Sequence, residues 1–245
     1  MSDANGQRVT DHDSPWKDAL ESHFAEFLAL LFADIYHHID WSKGYSFLDK
    51  ELQQITADAD TGRRYADKLV KVYADDGSET WVLIHVEIQG EPEDAFAARM
   101  YTYQYRLRDR YGIDVVSLSV LADTRANFRP SAFHYHCELT FTFPIAKLID
   151  WESKWAILES SDNVFALVVM AQLRAKRLVD GNARTQAKVK LVRLMFERNY
   201  SRKQIQQLFN VIDWMIQLPH GLEPAFRQAV YEIEEANNIA LYQYV

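Results

Sequence analysis

Three polar residues gather where an apolar strand should end. Across residues 81–89 the even positions Val82, Ile84, Val86 and Ile88 are aliphatic, whereas the odd positions close with His85, Glu87 and Gln89. A strand sends alternate side chains to opposite faces, so the aliphatic set faces a core and the polar three share the other face. Upstream, residues 66–73 alternate in the same way, and Ala74-Asp75-Asp76-Gly77-Ser78 between the two runs is a strong turn signal. Antiparallel neighbours bring opposite ends together, which sets Asp67, at the start of the first strand, beside Glu87, near the end of the second. Two carboxylates so placed suit a hard divalent cation, which takes oxygen ligands and fills the rest of its shell with water. Mg²⁺ or Mn²⁺ held there would activate a water, neutralise a phosphate and assist the leaving oxygen of a phosphodiester. Gln89 would orient the water or the phosphate.

The elements that must position these residues read as follows. Ser14 and Pro15 form a helix start, and Leu20, Phe24, Phe27, Leu28 and Leu31 recur at helical spacing to about Ala33. Residues 40–55 read equally as strand or helix end, and residues 56–61 as a loop. Gly90 and Pro92 end the second strand. A helix over about 93–111 follows, with Phe96, Met100, Tyr103 and Leu107 on one face and Gly112 as its stop. Strands are expected over 115–122 and 133–143. Beyond Pro144 the chain reads as helical, with helices near 151–158, 164–178, 184–198 and 201–217 and a last one after Pro219 and Gly221.

The run Arg64-x-x-Asp67, a hairpin, then Glu87-Ile88-Gln89 and a helix resembles the core of PD-(D/E)XK phosphodiesterases. Asp13-Ser14-Pro15-Trp16-Lys17, Phe47-Leu48-Asp49-Lys50-Glu51-Leu52-Gln53, residues 81–89, Arg99-Met100-Tyr101 and Arg110-Tyr111 resemble, more narrowly, the recombination-promoting nuclease (Rpn) or putative transposase family. The likeness covers roughly the first half of the chain. It implies an α/β, restriction-endonuclease-like core, a central mixed sheet flanked by helices, with a helical C-terminal region. It also implies metal held by Asp67, Glu87 and the Ile88 carbonyl, and Mg²⁺-dependent DNA cleavage linked to recombination or mobile elements. The family's usual third residue is a lysine that polarises the attacking water; Gln89 stands there and carries no charge. Lys71, on the face of Asp67 by parity, and Arg99 on the following helix are candidate replacements. Arg64, Arg99 and Tyr103 are candidate substrate contacts, Tyr103 and its neighbours Tyr101 and Tyr105 by stacking on bases. The Gln-x-x-x-Tyr helix motif of RecB-like relatives is absent, since Gln104 is followed by Arg108. Read singly, Asp67 is as well explained by pairing with Arg64, and Glu87 with Gln89 by an exposed strand face.

Composition sets the outer limits. With 48% hydrophobic and 25% charged residues over 245 positions, the chain has enough apolar surface for a large core. Residues 1–14 read as a disordered lead-in, 15–145 as the nuclease-like core and 146–245 as the helical region. The lone Cys137 forms no internal disulfide and is expected to pack in a strand beside His134 and His136, a pair that also invites a metal reading. No run approaches ~20 apolar residues, so no membrane span is expected, and the cytoplasm is the default location. A net charge of −8 opposes non-specific DNA binding through the whole-molecule field. Residues 174–203, however, hold ten basic side chains against Asp180 and Glu197 alone, a local patch for phosphates or a solvated helix face. That patch and the missing lysine motivate an alternative, a non-catalytic DNA-binding or assembly protein on a degenerate nuclease fold. Leu191, Leu194, Met195, Ile205, Leu208, Phe209, Ile212 and Met215 make apolar stripes that would serve a homo-oligomer or the core.

Overall fold

The computed structural model describes residues 15–56, 68–87, 95–198 and 200–237. The opening helical pattern is three helices, α1 (Pro15–Ser22), α2 (Phe24–Leu31) and α3 (Ala33–His37), where the sequence predicts one. The chain leaves helical geometry at His23 (φ −139°, ψ 40°) and again at Phe32 (φ −140°, ψ 54°). These breaks redirect the chain so that Trp16, Phe24, Phe27, Phe32 and Ile39 all reach one core. The ambiguous stretch resolves both ways, as a 3₁₀ turn (Trp41–Lys43), β1 (Ser46–Phe47) and α4 (Asp49–Thr56). Next come β2 (Lys68–Tyr73), β3 (Glu79–Glu87), α5 (Phe96–Tyr111) and β4 (Asp114–Leu121), each within a few residues of its expected span. The β2–β3 turn forms as expected: Gly77 takes φ +85°, a conformation that favours glycine, and Asp76 Oδ1 accepts from the Ser78 N–H at 2.8 Å.

The central sheet is mixed, with strand order β1-β2-β3-β4-β7, where β7 is Ile145–Lys147. β1 and β3 run antiparallel to β2, whereas β3, β4 and β7 run parallel. A parallel neighbour needs a crossover, and α5 supplies the one between β3 and β4. Both faces of the sheet are buried. Val70, Val72, Val82, Ile84, Leu118 and Val120 pack with the N-terminal and C-terminal helices. Leu69, Trp81 and Leu83 pack on the opposite side with Leu52 and Ile55 of α4 and Tyr103 and Leu107 of α5. The α/β class with a central mixed sheet flanked by helices is therefore present.

Residues 133–143, expected as one strand, form a separate hairpin of β5 (Ala132–Tyr135) and β6 (Leu139–Thr142). His136 turns the chain at φ +50°, so it does not share a strand face with His134, and Cys137 is exposed in the turn rather than packed. β7 interrupts a region read as wholly helical; three residues are too few to show a period.

After a 3₁₀ segment (Leu148–Glu152) come α6 (Trp155–Ser160), α7 (Val164–Arg177), α8 (Gly181–Glu197), α9 (Arg202–Met215) and α10 (Glu223–Asn237). Every residue of α7 from Val164 to Leu173 is buried, as for a helix surrounded by others. Its Gln172 Oε1 accepts from Trp16 Nε1 of α1 at 3.2 Å, and Gln207 of α9 donates to Ser22 Oγ at 2.8 Å. Residues of α1, α2 and α7–α10 thus share one continuous core with the sheet. Leu191, Met195, Ile205, Leu208, Phe209, Ile212 and Met215 all belong to it, with Leu194 packed against it, so the apolar stripes are occupied within the chain. Among the described residues no helix is long and apolar enough to cross a membrane.

Candidate functional site

The three parallel strands stop in a row. Glu87, the last residue of β3, is in register with Leu121, the last of β4, and Leu121 with Lys147, the last of β7. At ~4.8 Å per strand, the Glu87 and Lys147 backbones stand roughly 10 Å apart. Lys147 Nζ lies 2.5 Å from Asp123 Oδ2, and the two side chains are 0% and 5% exposed. Asp123 Oδ1 also accepts from the Arg125 N–H at 2.9 Å and from its Nε at 3.4 Å. The Phe128 ring lies 5.0 Å from the Arg125 guanidinium and 5.7 Å from Lys147 Nζ. Burial pushes the Asp123 carboxyl up, but the hydrogen bonds and charge of Lys147 and the Arg125 bonds outweigh it and hold it below the usual carboxylate range.

α5 begins over this same edge. Its Phe96 and Met100 pack with Leu121 and with Phe143. Arg99, in the first turn, is half-buried with its guanidinium 5.6 Å from the Phe96 ring. Beside β3, Ser117 and Ser119 of β4 stand in register with Leu83 and His85. Both serines are buried, and neither hydroxyl has a hydrogen-bond partner among the described residues. Such orphaned groups are uncommon in a folded interior.

No protein-family model, no curated protein and no solved structure matches the chain. The edge must therefore be read from its own chemistry.

Of the residues singled out in the sequence, Arg64, Asp67, Ile88 and Gln89 lie outside the described residues, and Glu87 is described as the last backbone position of β3. The β2–β3 register is described up to Lys68 opposite Ile84, one residue short of Asp67. Lys68 itself is buried; its ammonium hydrogen-bonds Glu21 of α1 and lies 3.3 Å from Asp49 of α4. That ion pair fixes the end of β2 next to Asp67.

Two expectations need correction. Lys71 has the right parity but the wrong end of the strand, since it pairs with Trp81, six residues before Glu87. At ~3.3 Å per residue that is about 20 Å, far beyond the reach of a lysine side chain. Lys71 instead approaches Glu79 at 3.9 Å. Tyr103 is 2% exposed in the core beneath α5, so no base can stack on it. Arg99 stands in the first turn of α5, beside Phe96, which packs with Leu121 at the end of β4.

Half of the basic side chains of segment 174–203 are engaged within the fold. Arg184 donates to the carbonyls of Ala175, Leu178 and Gln217, and buried Lys188 meets Asp213 at 2.9 Å. Lys190 pairs with Glu159, Arg177 with Glu152, and Arg198 donates to the carbonyls of Leu158 and Glu159. Five of the ten charges counted in the sequence are so engaged, Arg177 and Lys190 in exposed pairs, while Lys176, Arg193 and Lys203 are exposed and remain for a phosphate-binding patch.

Asp123, Lys147, Ser117 and Ser119 were not singled out from the sequence. The signal available was a charged residue placed directly after an apolar run, Leu121-Ala122-Asp123 and Ile145-Ala146-Lys147, at the end where α/β sheets place ligands.

Proposed function

We propose that the chain is a divalent-metal-dependent endonuclease acting on DNA, with its centre at the carboxyl edge of β3. The observation that carries this reading is the succession of an antiparallel hairpin ending at Glu87, a crossover helix α5 and a parallel strand β4. The hairpin followed by a helix is the order on which the PD-(D/E)XK resemblance rests, and open α/β sheets take ligands at the carboxyl ends of their strands. The resemblance to the recombination-promoting nuclease family supplies the link with mobile elements.

The donor set fits a hard cation. Among the described residues no group of three or more His, Cys, Asp or Glu side chains gathers to hold a metal; the donors that the resemblance implies, Asp67, Glu87 and the Ile88 carbonyl, are oxygens of the kind such a cation takes. Mg²⁺ or Mn²⁺, when bound, supplies Lewis acidity toward the phosphate and a water of lowered pKa. The chain's own residues do the rest. Gln89 orients the attacking water by hydrogen bonding, without donating charge. Of the positive charges at the edge, Lys147 and Arg125 both contact Asp123, and Arg99 stands in the first turn of α5, whose Phe96 and Met100 pack on the end of β4. Arg99 is therefore assigned to the phosphate, where a guanidinium can bind two oxygens at once.

The alternative, a DNA-binding or assembly protein without catalysis, draws on the basic segment, of whose ten charges half are engaged within the fold. Nicking of supercoiled plasmid decides between the two. Cleavage should require Mg²⁺ or Mn²⁺, stop with EDTA, and disappear in Asp67→Ala and Glu87→Gln while the folded far-UV spectrum persists. Clean protein that cuts no DNA form with any divalent metal removes the enzymatic reading.

A further inference from the structure

α5 carries an aromatic ladder on its outer side. Tyr101 and Tyr105 stand one turn apart with rings 6.2 Å apart and 25° from parallel. Tyr101 also stacks on Phe133 of the β5–β6 hairpin at 5.3 Å and 19°. Among the described residues the ladder ends at Tyr105, which is 53% exposed, and Tyr135 on the same hairpin is 57% exposed. Phe133, Tyr135 and Phe141 share one hairpin face by register. The aromatic row continues inward from Tyr101 to Phe141 at 5.6 Å and on to Phe143 at 5.6 Å, which packs with Leu121 opposite Glu87. One end of the row is thus wet, and the other reaches the candidate site.

We propose that Tyr105, Tyr101, Phe133 and Tyr135 form a stacking platform for the unpaired bases of a single-stranded nucleic acid, which it leads to the carboxyl edge of β3. This rests on the nuclease reading and deepens it by naming the substrate as single-stranded, or as duplex carrying an unpaired tail. Bases stack on aromatic faces whatever their sequence, and a platform of this kind needs flanking positive charge for the backbone. α5 contributes to it through Arg108, whereas Arg106 is turned toward α4, where it donates to the Ile55 carbonyl at 3.0 Å, and Arg99 and Arg110 fall on that same far side of the helix by their spacing. Arg108, exposed, is on the helix face of Tyr101 and Tyr105 by its spacing. Glu138, exposed in the hairpin turn, is the nearest acidic group in sequence to the platform strands. Arg108 beside the exposed Tyr105 ring, in a chain of net charge −8, fits a polyanion carrying planar bases better than it fits a second copy of this acidic chain.

Fluorescence anisotropy of a labelled oligothymidylate on the order of fifteen nucleotides long, with EDTA to prevent cleavage, tests the proposal. Tyr105→Ala and Tyr101→Ala should each weaken binding about tenfold. Tyr105→Phe should bind as the wild type, because the ring face is retained, and blunt duplex of equal length should be indifferent to all three changes. Arg108→Ala should flatten the salt dependence by about one counterion. Wild-type affinity in both alanine variants overturns the platform, and so does the absence of oligonucleotide binding at low salt. Self-association in light scattering that vanishes in Tyr105→Ala assigns the face to a second copy and also overturns it. Absence of metal-dependent cutting with the tyrosine dependence intact sinks only the nuclease reading. Equal cutting of single strands by wild type and Tyr105→Ala sinks only the platform.

Discussion

Lys147 and Asp123 meet at 2.5 Å with both side chains buried, at the point where three parallel strands end together. Desolvating two charges is costly, and their attraction repays it only while both are present. Lys147→Met, which leaves the Asp123 carboxylate with Arg125 as its remaining partner, should therefore lower stability by up to about 3 kcal/mol in urea denaturation. The double variant Asp123→Asn with Lys147→Met should recover most of that loss. Additive single effects would show that the two side chains act independently.

The same pair has a pH signature. The folded Asp123 carboxyl sits below its ordinary value, so the unfolded chain binds the proton more readily. Its contribution is complete above the unfolded value of about 3.9 and fades as pH falls through the lower folded value. The acid limb of the stability curve should shrink in the double variant.

His23 predicts an effect at milder pH. It is buried at the α1–α2 break with Nε2 lacking a partner, and burial pushes its pKa below 6.5, with Glu26 opposing and Lys203 assisting. The unfolded state then holds more protons than the folded one between the depressed value and 6.5. Stability should fall as pH drops below about 6.5 and level off once the folded imidazole also protonates. Thermal unfolding of His23→Gln across that window should be flatter, and an unchanged slope would refute the assignment.

Charge reversal along the basic segment should separate structure from surface. Arg184→Ala removes three carbonyl contacts and should cost about 2 kcal/mol. Lys188→Glu places a buried carboxylate against Asp213 and should unfold the chain at a much lower temperature. Arg193, exposed on α8, should accept the same reversal without a shift in Tm. Equal Tm values for all three would mean that the segment is a solvated face after all.

α9 offers a simpler check. Ser201 Oγ accepts from the Gln204 N–H at 3.3 Å while Gln204 Oε1 accepts from the Ser201 N–H at 2.9 Å, a reciprocal capping box. Ser201→Ala should cost about 1 kcal/mol, measured by denaturant titration, and Ser201→Asp should restore most of it.

What the chain disclosed by itself was local. The β2–β3 hairpin was legible because strand alternation and the Asp75-Asp76-Gly77 turn are neighbours in sequence, and α5 because Phe96, Met100, Tyr103, Leu107 and Gly112 lie within one helix and its cap. The same alternation marked Glu87 as a strand-end carboxylate. Long-range pairing was hidden. Three residues of β7 carry no period, and their strand character comes only from hydrogen bonding to β4, more than twenty residues earlier. Lys188 and Arg184 looked like surface charge because a helix wheel cannot see Asp213 or the carbonyl of Gln217. Parity placed Lys71 on the right face, but the hairpin register, which the local turn sets, puts it opposite Trp81, toward the turn and away from Glu87. The tertiary structure likewise decided which tyrosines of α5 meet solvent, since burial depends on what covers the helix: β-sheet and α4 cover Tyr103, and water reaches Tyr105.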